Sequence, residues 1–147
     1  MANSAFGSWP KSEEPVLRLT PMPSDANFNG DIFGGWVMSQ VDIAGSIPAI
    51  ATVEGRLATV AVNSFIFKQP IYVGDLVSFY AKVVKVGVTS LQVSVEVWSQ
   101  RRLAAPTVDP KENKVVKVTE ATLTYVAIDE FGKPRKIKNS NETFENT

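Results

Sequence analysis

The stretch GGWVMSQVDIAGSIPAI, residues 34–50, carries the one helical rhythm in the chain. Projected at about 100° per residue, Trp36, Ile43, Ile47 and Ile50 fall on one flank, and Val37, Val41, Ala44 and Pro48 on roughly the opposite one. Between the flanks Asp42 faces outward, beside Gly35, Met38, Ser39, Gly45, Ser46 and Ala49. A surface helix would show a wide charged face there. This one shows a single ionisable residue. Asp is a poor mid-helix residue, and no Lys or Arg stands three or four positions away to pair with it. Two readings of Asp42 are open: a carboxylate that is exposed or satisfied by nearby backbone and hydroxyls, and a carboxylate with a function. The small residues around it leave room for another body, either a ligand or a partner chain. Pro48 is expected to interrupt the last turn, and Gly55 to begin the exit.

Outward from the helix the period changes. On the N-terminal side, VLRLT (16–20) is a short strand candidate stopped by Pro21 and Pro23, and PMPSDANFNGD (21–31) is a loop of turn formers. On the C-terminal side four strand candidates follow: 57–70, 76–86, 91–102 and 115–129, each with β-branched or aromatic residues alternating with polar ones. The turns YVGD (72–75) and GVTS (87–90) are short enough for an antiparallel meander, and PTVDPKENK (106–114) is a longer loop. The predicted class is α+β: a strongly curved antiparallel sheet of about five long strands with one central helix over about 34–50. One helix cannot cover the apolar face of such a sheet unless the sheet curls around it or a second copy helps. The predicted organisation is an irregular lead-in over 1–15, a single domain over 16–138 and a polar tail over 139–147.

Composition narrows the chemistry. The chain of 147 residues has no Cys and no His, and its fifteen Lys and Arg balance fifteen Asp and Glu. A disulfide, thiol chemistry, a Ser-His-Asp arrangement and a zinc site of the usual kind are thereby set aside. Any proton-transfer group must be Asp, Glu, Lys, Tyr or water. The balanced charge argues against bulk nucleic-acid binding. The start MANSAFGSWPKSEEP lacks the basic and apolar runs of a signal peptide, and no segment is apolar enough to span a bilayer, so a cytoplasmic address is expected. GDIFGG (30–35) precedes the helix, where unpaired N–H groups suit a phosphate or negative charge developing on a carbonyl oxygen. Its glycine spacing is not that of a phosphate-loop or dinucleotide fingerprint. A tight turn in close contact with the sheet would use the same glycines.

Three segments, MPSDANFNGDIFGGWVMSQVDIAG (22–45), GRLATVAVNSFIFKQPIYVGDLVSFYAKVVKVGVTSLQVSVEVW (55–98) and TEATLTYVAIDEFGKPRKI (119–137), closely resemble the bacterial acyl-CoA thioesterases of the hotdog fold. The resemblance is to the short-chain, broad-specificity branch and covers about residues 16–138. It implies a helix wrapped by the sheet, homodimers with shared active sites, and assembly as a trimer of dimers, a hexamer. It implies that Asp42 is the catalytic carboxylate, acting as general base or nucleophile. Asn27 is then contributed by the other protomer, and the Gly34–Gly35 pair, Gly35 above all, donates an N–H to the thioester carbonyl. The coenzyme A part would run near the VGVTS turn, touching Lys85, Thr89, Ser90 and Arg101. No metal and no separate cofactor are implied, coenzyme A being part of the substrate. The chain departs from its relatives at Phe28, where they tend to carry alanine, and at Pro48, where they usually carry Leu or another non-proline.

The expected function is therefore hydrolysis of acyl-CoA to a carboxylic acid and coenzyme A. The alternative is a hotdog protein that binds or senses acyl-CoA without hydrolysing it, for which a base on the helix would have no use. Dehydration in the same fold relies on a His that this chain lacks. A purely structural oligomer would leave the mid-helix carboxylate without a purpose.

Overall fold

The computed structural model describes residues 14–102 and 115–137. The order is β1 (Leu17–Leu19), a 3-10 turn (Pro23–Asp25), α1 (Gly34–Thr52), β2 (Leu57–Phe67), β3 (Leu76–Val86), β4 (Ser90–Gln100) and β5 (Val115–Ala127). The strands form one antiparallel sheet in the order β1-β3-β4-β5-β2, and α1 packs across β3, β4 and β5. The predicted α+β architecture holds, with the sheet curving around the helix.

Alternation puts Leu91, Val93, Val95 and Val97 of β4 on the inner face, with Val77 and Phe79 of β3 and Leu123 and Tyr125 of β5 beside them. Val37, Val41, Ala44 and Ala49 of α1 meet this face in one core. Each buried Val or Leu stabilises it by about 1.5–3 kcal/mol over an exposed one. Register shifts near Val60 and Asn63 in β2 and near Val84 in β3 insert extra residues and bend the strands. These bends carry the sheet around the helix.

Four expectations need correction. The first strand is three residues long, because Pro21 and Pro23 lie just beyond it; only four strands are long. The meander covers β3-β4-β5 alone, since β2 pairs with β5 at one edge and the 68–75 link crosses to β3 near the other. That link passes beneath the start of α1, where the Ile32 N–H donates to the Ile71 carbonyl at 2.9 Å. Pro48 does not interrupt the last turn, and the helix continues through it to Thr52, two residues past the expected Ile50; proline removes one hydrogen bond, while Ala49 and Val53 in the following turn are buried in the core. Gly45 and Ala49 do not belong to an open face beside Asp42, because both are buried. Residues 1–13 of the 1–15 lead-in, the 106–114 loop and the 139–147 tail lie outside the described residues.

The fold leaves apolar surface unpartnered among the described residues. Met38, Ile43, Ile47 and Ile50 of α1 are exposed, as are Val60, Val62, Ile66 and Phe67 of the edge strand β2. A long apolar edge strand of this kind is a template for pairing with another chain. No described helix is long and apolar enough to cross a membrane.

Candidate active site

Asp42 projects from α1 toward the point where β2 and β5 pair. The register sets Thr59 opposite Tyr125 and turns both toward the helix. Thr59 Oγ1 donates to Asp42 Oδ1 at 2.7 Å. The Tyr125 hydroxyl lies 3.1 Å from the same Oδ1 and 2.8 Å from the Asp42 backbone carbonyl oxygen, both of which can accept its proton. Oδ2 has no hydrogen-bond partner among the described residues. Burial first, then the charge and hydrogen bond of Asp42, push the Tyr125 phenol well above the usual tyrosine range, so it stays a donor. A cleft of about 310 Å³ opens here, lined by Asp42, Ile43, Ser46, Arg56, Thr59 and Tyr125 among others.

The start of the same helix forms a second centre. Trp36 and Val37 donate their N–H groups to the Phe33 carbonyl, whereas those of Gly34 and Gly35 have no acceptor among the described residues. They carry the positive end of the helix dipole. Asn27 stands beside them in a tight loop, its Oδ1 accepting from the N–H groups of Asn29 at 2.8 Å and Asp31 at 3.2 Å. Two backbone donors decide which side-chain atom is the oxygen, so Nδ2 is the group left to donate. Asn27, Gly34, Val37, Phe67, Pro70 and Ile71 line a cleft of about 400 Å³. Phe28, next to Asn27, is 108% exposed and does not line this cleft.

The two glycines differ. A Cβ on Gly34 would lie 3.2 Å from the Phe67 ring, whereas one on Gly35 would meet nothing within 4 Å. Gly34→Ala makes the half-exposed Phe67 ring shift by a few tenths of an ångström, so it is expected to gain less stability than Gly35→Ala. Gly35→Ala is expected to hold the melting temperature or raise it slightly, and paired thermal melts check the contrast.

Within one protomer these two centres are apart. Gly34 and Asp42 stand eight positions apart along the helix, a rise of about 12 Å. Asn27 and Asp42 line separate clefts. Thr59 and Phe67 stand at opposite ends of β2.

The four residues expected at coenzyme A divide as well. Lys85, Thr89 and Ser90 lie at the β3–β4 hairpin, near the Tyr125 end of the sheet, since Tyr125 pairs with Leu91 and Leu91 with Val86. Arg101 follows the far end of β4, roughly 33 Å along the strand. It is 8% exposed and paired with Asp75, and its Nη2 donates to the Pro70 carbonyl at 2.8 Å while the guanidinium covers the Tyr72 ring. Its donors hold the 70–75 link in place, which separates it from the hairpin group. Thr59, Tyr125 and Arg56 were not legible as site residues, because their placement depends on cross-strand register. No group of three or more Asp or Glu able to hold a metal occurs among the described residues.

The thioesterase superfamily family model matches residues 29–105. The chain is 47% identical over 124 residues to the acyl-CoA thioester hydrolase YciA of Salmonella typhimurium, covering 84% of this chain and 90% of that protein. Its fold is similar to the hexameric thioesterase y2039 of Yersinia pestis, with 42% identity, a TM-score of 0.76 and 88% and 99% of the two chains covered. It is also similar to Cj0915, a hexameric hotdog fold thioesterase of Campylobacter jejuni, at 38% identity and a TM-score of 0.77, covering 92% and 98%.

Proposed function

The chain belongs to the thioesterase superfamily and hydrolyses acyl-CoA thioesters, and from that premise we propose an active site divided between two protomers. Asp42 comes from one protomer, and Asn27 with the Gly34 and Gly35 N–H groups from the other. The observation that carries the reading is the Asp42 carboxylate, with Oδ1 held by Thr59 and Tyr125 and Oδ2 left to react. The separation of the two centres supports the division, as do the exposed apolar flank of α1 and the edge of β2, which suit a second copy. Relatives described as hexameric support a trimer of dimers.

In the proposed reaction Asn27 Nδ2 and the helix N-terminal N–H groups hold the thioester carbonyl oxygen as negative charge develops on it. Oδ2 removes a proton from water, the oxygen adds to the carbonyl carbon, the C–S bond breaks, and the thiolate leaves with a proton. The same free oxygen would serve direct attack to an anhydride that water then opens. Lys85, Thr89 and Ser90 are proposed contacts for the coenzyme A part. No cofactor enters this scheme, and the cytoplasm is the proposed compartment.

Incubation with acyl-CoAs from acetyl to palmitoyl, followed by free-thiol release, tests the activity. Turnover with at least one chain length is expected, with acid and thiol in equal amounts. Saturable binding without thiol release would favour the acyl-CoA-binding alternative.

A further inference from the structure

Tyr125 is a buried phenol on β5 that meets the helix at Asp42 and at no other polar group among the described residues. The helix has a matching recess. A Cβ on Gly45 would lie 2.6 Å from the Tyr125 hydroxyl oxygen and 3.4 Å from the ring carbon that bears it. Only a residue without a side chain admits the hydroxyl here. Gly45 in mid-helix costs about 1 kcal/mol against Ala, and this contact accounts for its presence.

We propose that Tyr125 is a positioning residue for the reacting carboxylate: lodged against Gly45, its hydroxyl shares its one proton between the Asp42 backbone carbonyl and Oδ1, and so fixes the side chain with Oδ2 unpartnered. An Asp side chain in a half-open cleft otherwise moves among its rotamers. Thr59 approaches the same Oδ1 from β2, so two strands constrain one oxygen from different sides. Arg56, the cation that lines this cleft, instead turns its guanidinium to the Asp129 and Glu130 carbonyls. The orienting contacts to the carboxylate are therefore the two hydroxyls.

The inference rests on Asp42 being the reacting group, and the test separates the two. Tyr125→Phe keeps the ring and removes the hydroxyl. It is expected to lower kcat roughly ten- to a hundred-fold with KM changed less than about two-fold, because the base is misplaced while substrate contacts remain. Gly45→Ala, which displaces the hydroxyl from the helix side, is expected to give a similar kcat loss and reads the same contact should Tyr125→Phe fail to fold. Once the hydroxyl is gone the added methyl group has room, so the double variant is expected to match Tyr125→Phe alone. A purely structural tyrosine would lower the melting temperature while leaving kcat per folded site intact. Wild-type kcat in folded Tyr125→Phe, or in folded Gly45→Ala if the former does not fold, overturns the proposal. If Asp42→Asn also retains turnover, the catalytic reading of Asp42 fails with it; if Asp42→Asn is inactive, only the role of Tyr125 falls.

Discussion

Asp42→Asn is expected to abolish nearly all thioester hydrolysis while leaving the fold in place. The substitution is close to isosteric, and the amide oxygen can still accept from Thr59 and Tyr125 as Oδ1 does now. What disappears is the second carboxylate oxygen and its charge, replaced by an NH₂ group that neither accepts a proton nor attacks carbon. Loss of a positioned general base costs about 10²–10⁴ in rate, and the chain has no His to substitute for it. The effect belongs in kcat, since the helix N-terminus, Asn27 and the coenzyme A contacts remain. Stability should shift by no more than about 1 kcal/mol, as for substitutions that keep their hydrogen bonds. Thiol-release kinetics and a thermal melt on the same preparation check both halves. Turnover within a few-fold of wild type would remove Asp42 from the chemistry.

Asp42 was conspicuous in the sequence because it broke a local rule: one charge on an otherwise apolar helix, without a partner at helical spacing. The long strands were legible for a similar reason, since alternation is a local signal and runs unbroken through β4. Features set by distant contacts were not. Placing β2 beside β5 depends on a link crossing under the helix, and a short polar turn before β3 looks the same whether its strands pair or not. Thr59 reaches Asp42 only through a register with two irregularities further along the strand. Gly45 looked like room for a ligand, whereas the chain's own Tyr125 fills that room. Arg101 was expected at coenzyme A, whereas it pairs with Asp75, which stands 26 positions earlier in the sequence. Burial of that pair requires both charges together: an Asp that is 1% exposed would be left uncompensated by losing the Arg. A single sequence marks residue types at fixed spacing, and each of these pairings joins segments far apart in the chain.

A mixture of Asp42→Ala and Asn27→Ala protomers is expected to recover activity that neither variant has alone. In a divided site, each homodimer carries the same defect twice. A mixed dimer differs: one of its sites has lost both groups, and the other has an intact Asp42 facing an intact Asn27. With random pairing half of the dimers are mixed and half of their sites are whole, so about a quarter of wild-type turnover should return. A site complete within one protomer gives no such recovery, because every chain in the mixture lacks one group. Differently tagged chains should be co-expressed and purified through both tags, since the apolar surface of α1 and β2 would slow exchange between preformed dimers. In a trimer of dimers, purification through both tags removes only the hexamers built wholly from one variant, so recovery should stay near a quarter of wild type. That figure also separates a shared site from mere stabilisation of one variant by the other, which would raise the melting temperature without creating an intact Asp42–Asn27 pair. Absence of turnover in verified mixed dimers would show that Asn27 and Asp42 do not meet across the interface, and would leave the exposed β2 edge as a packing surface alone.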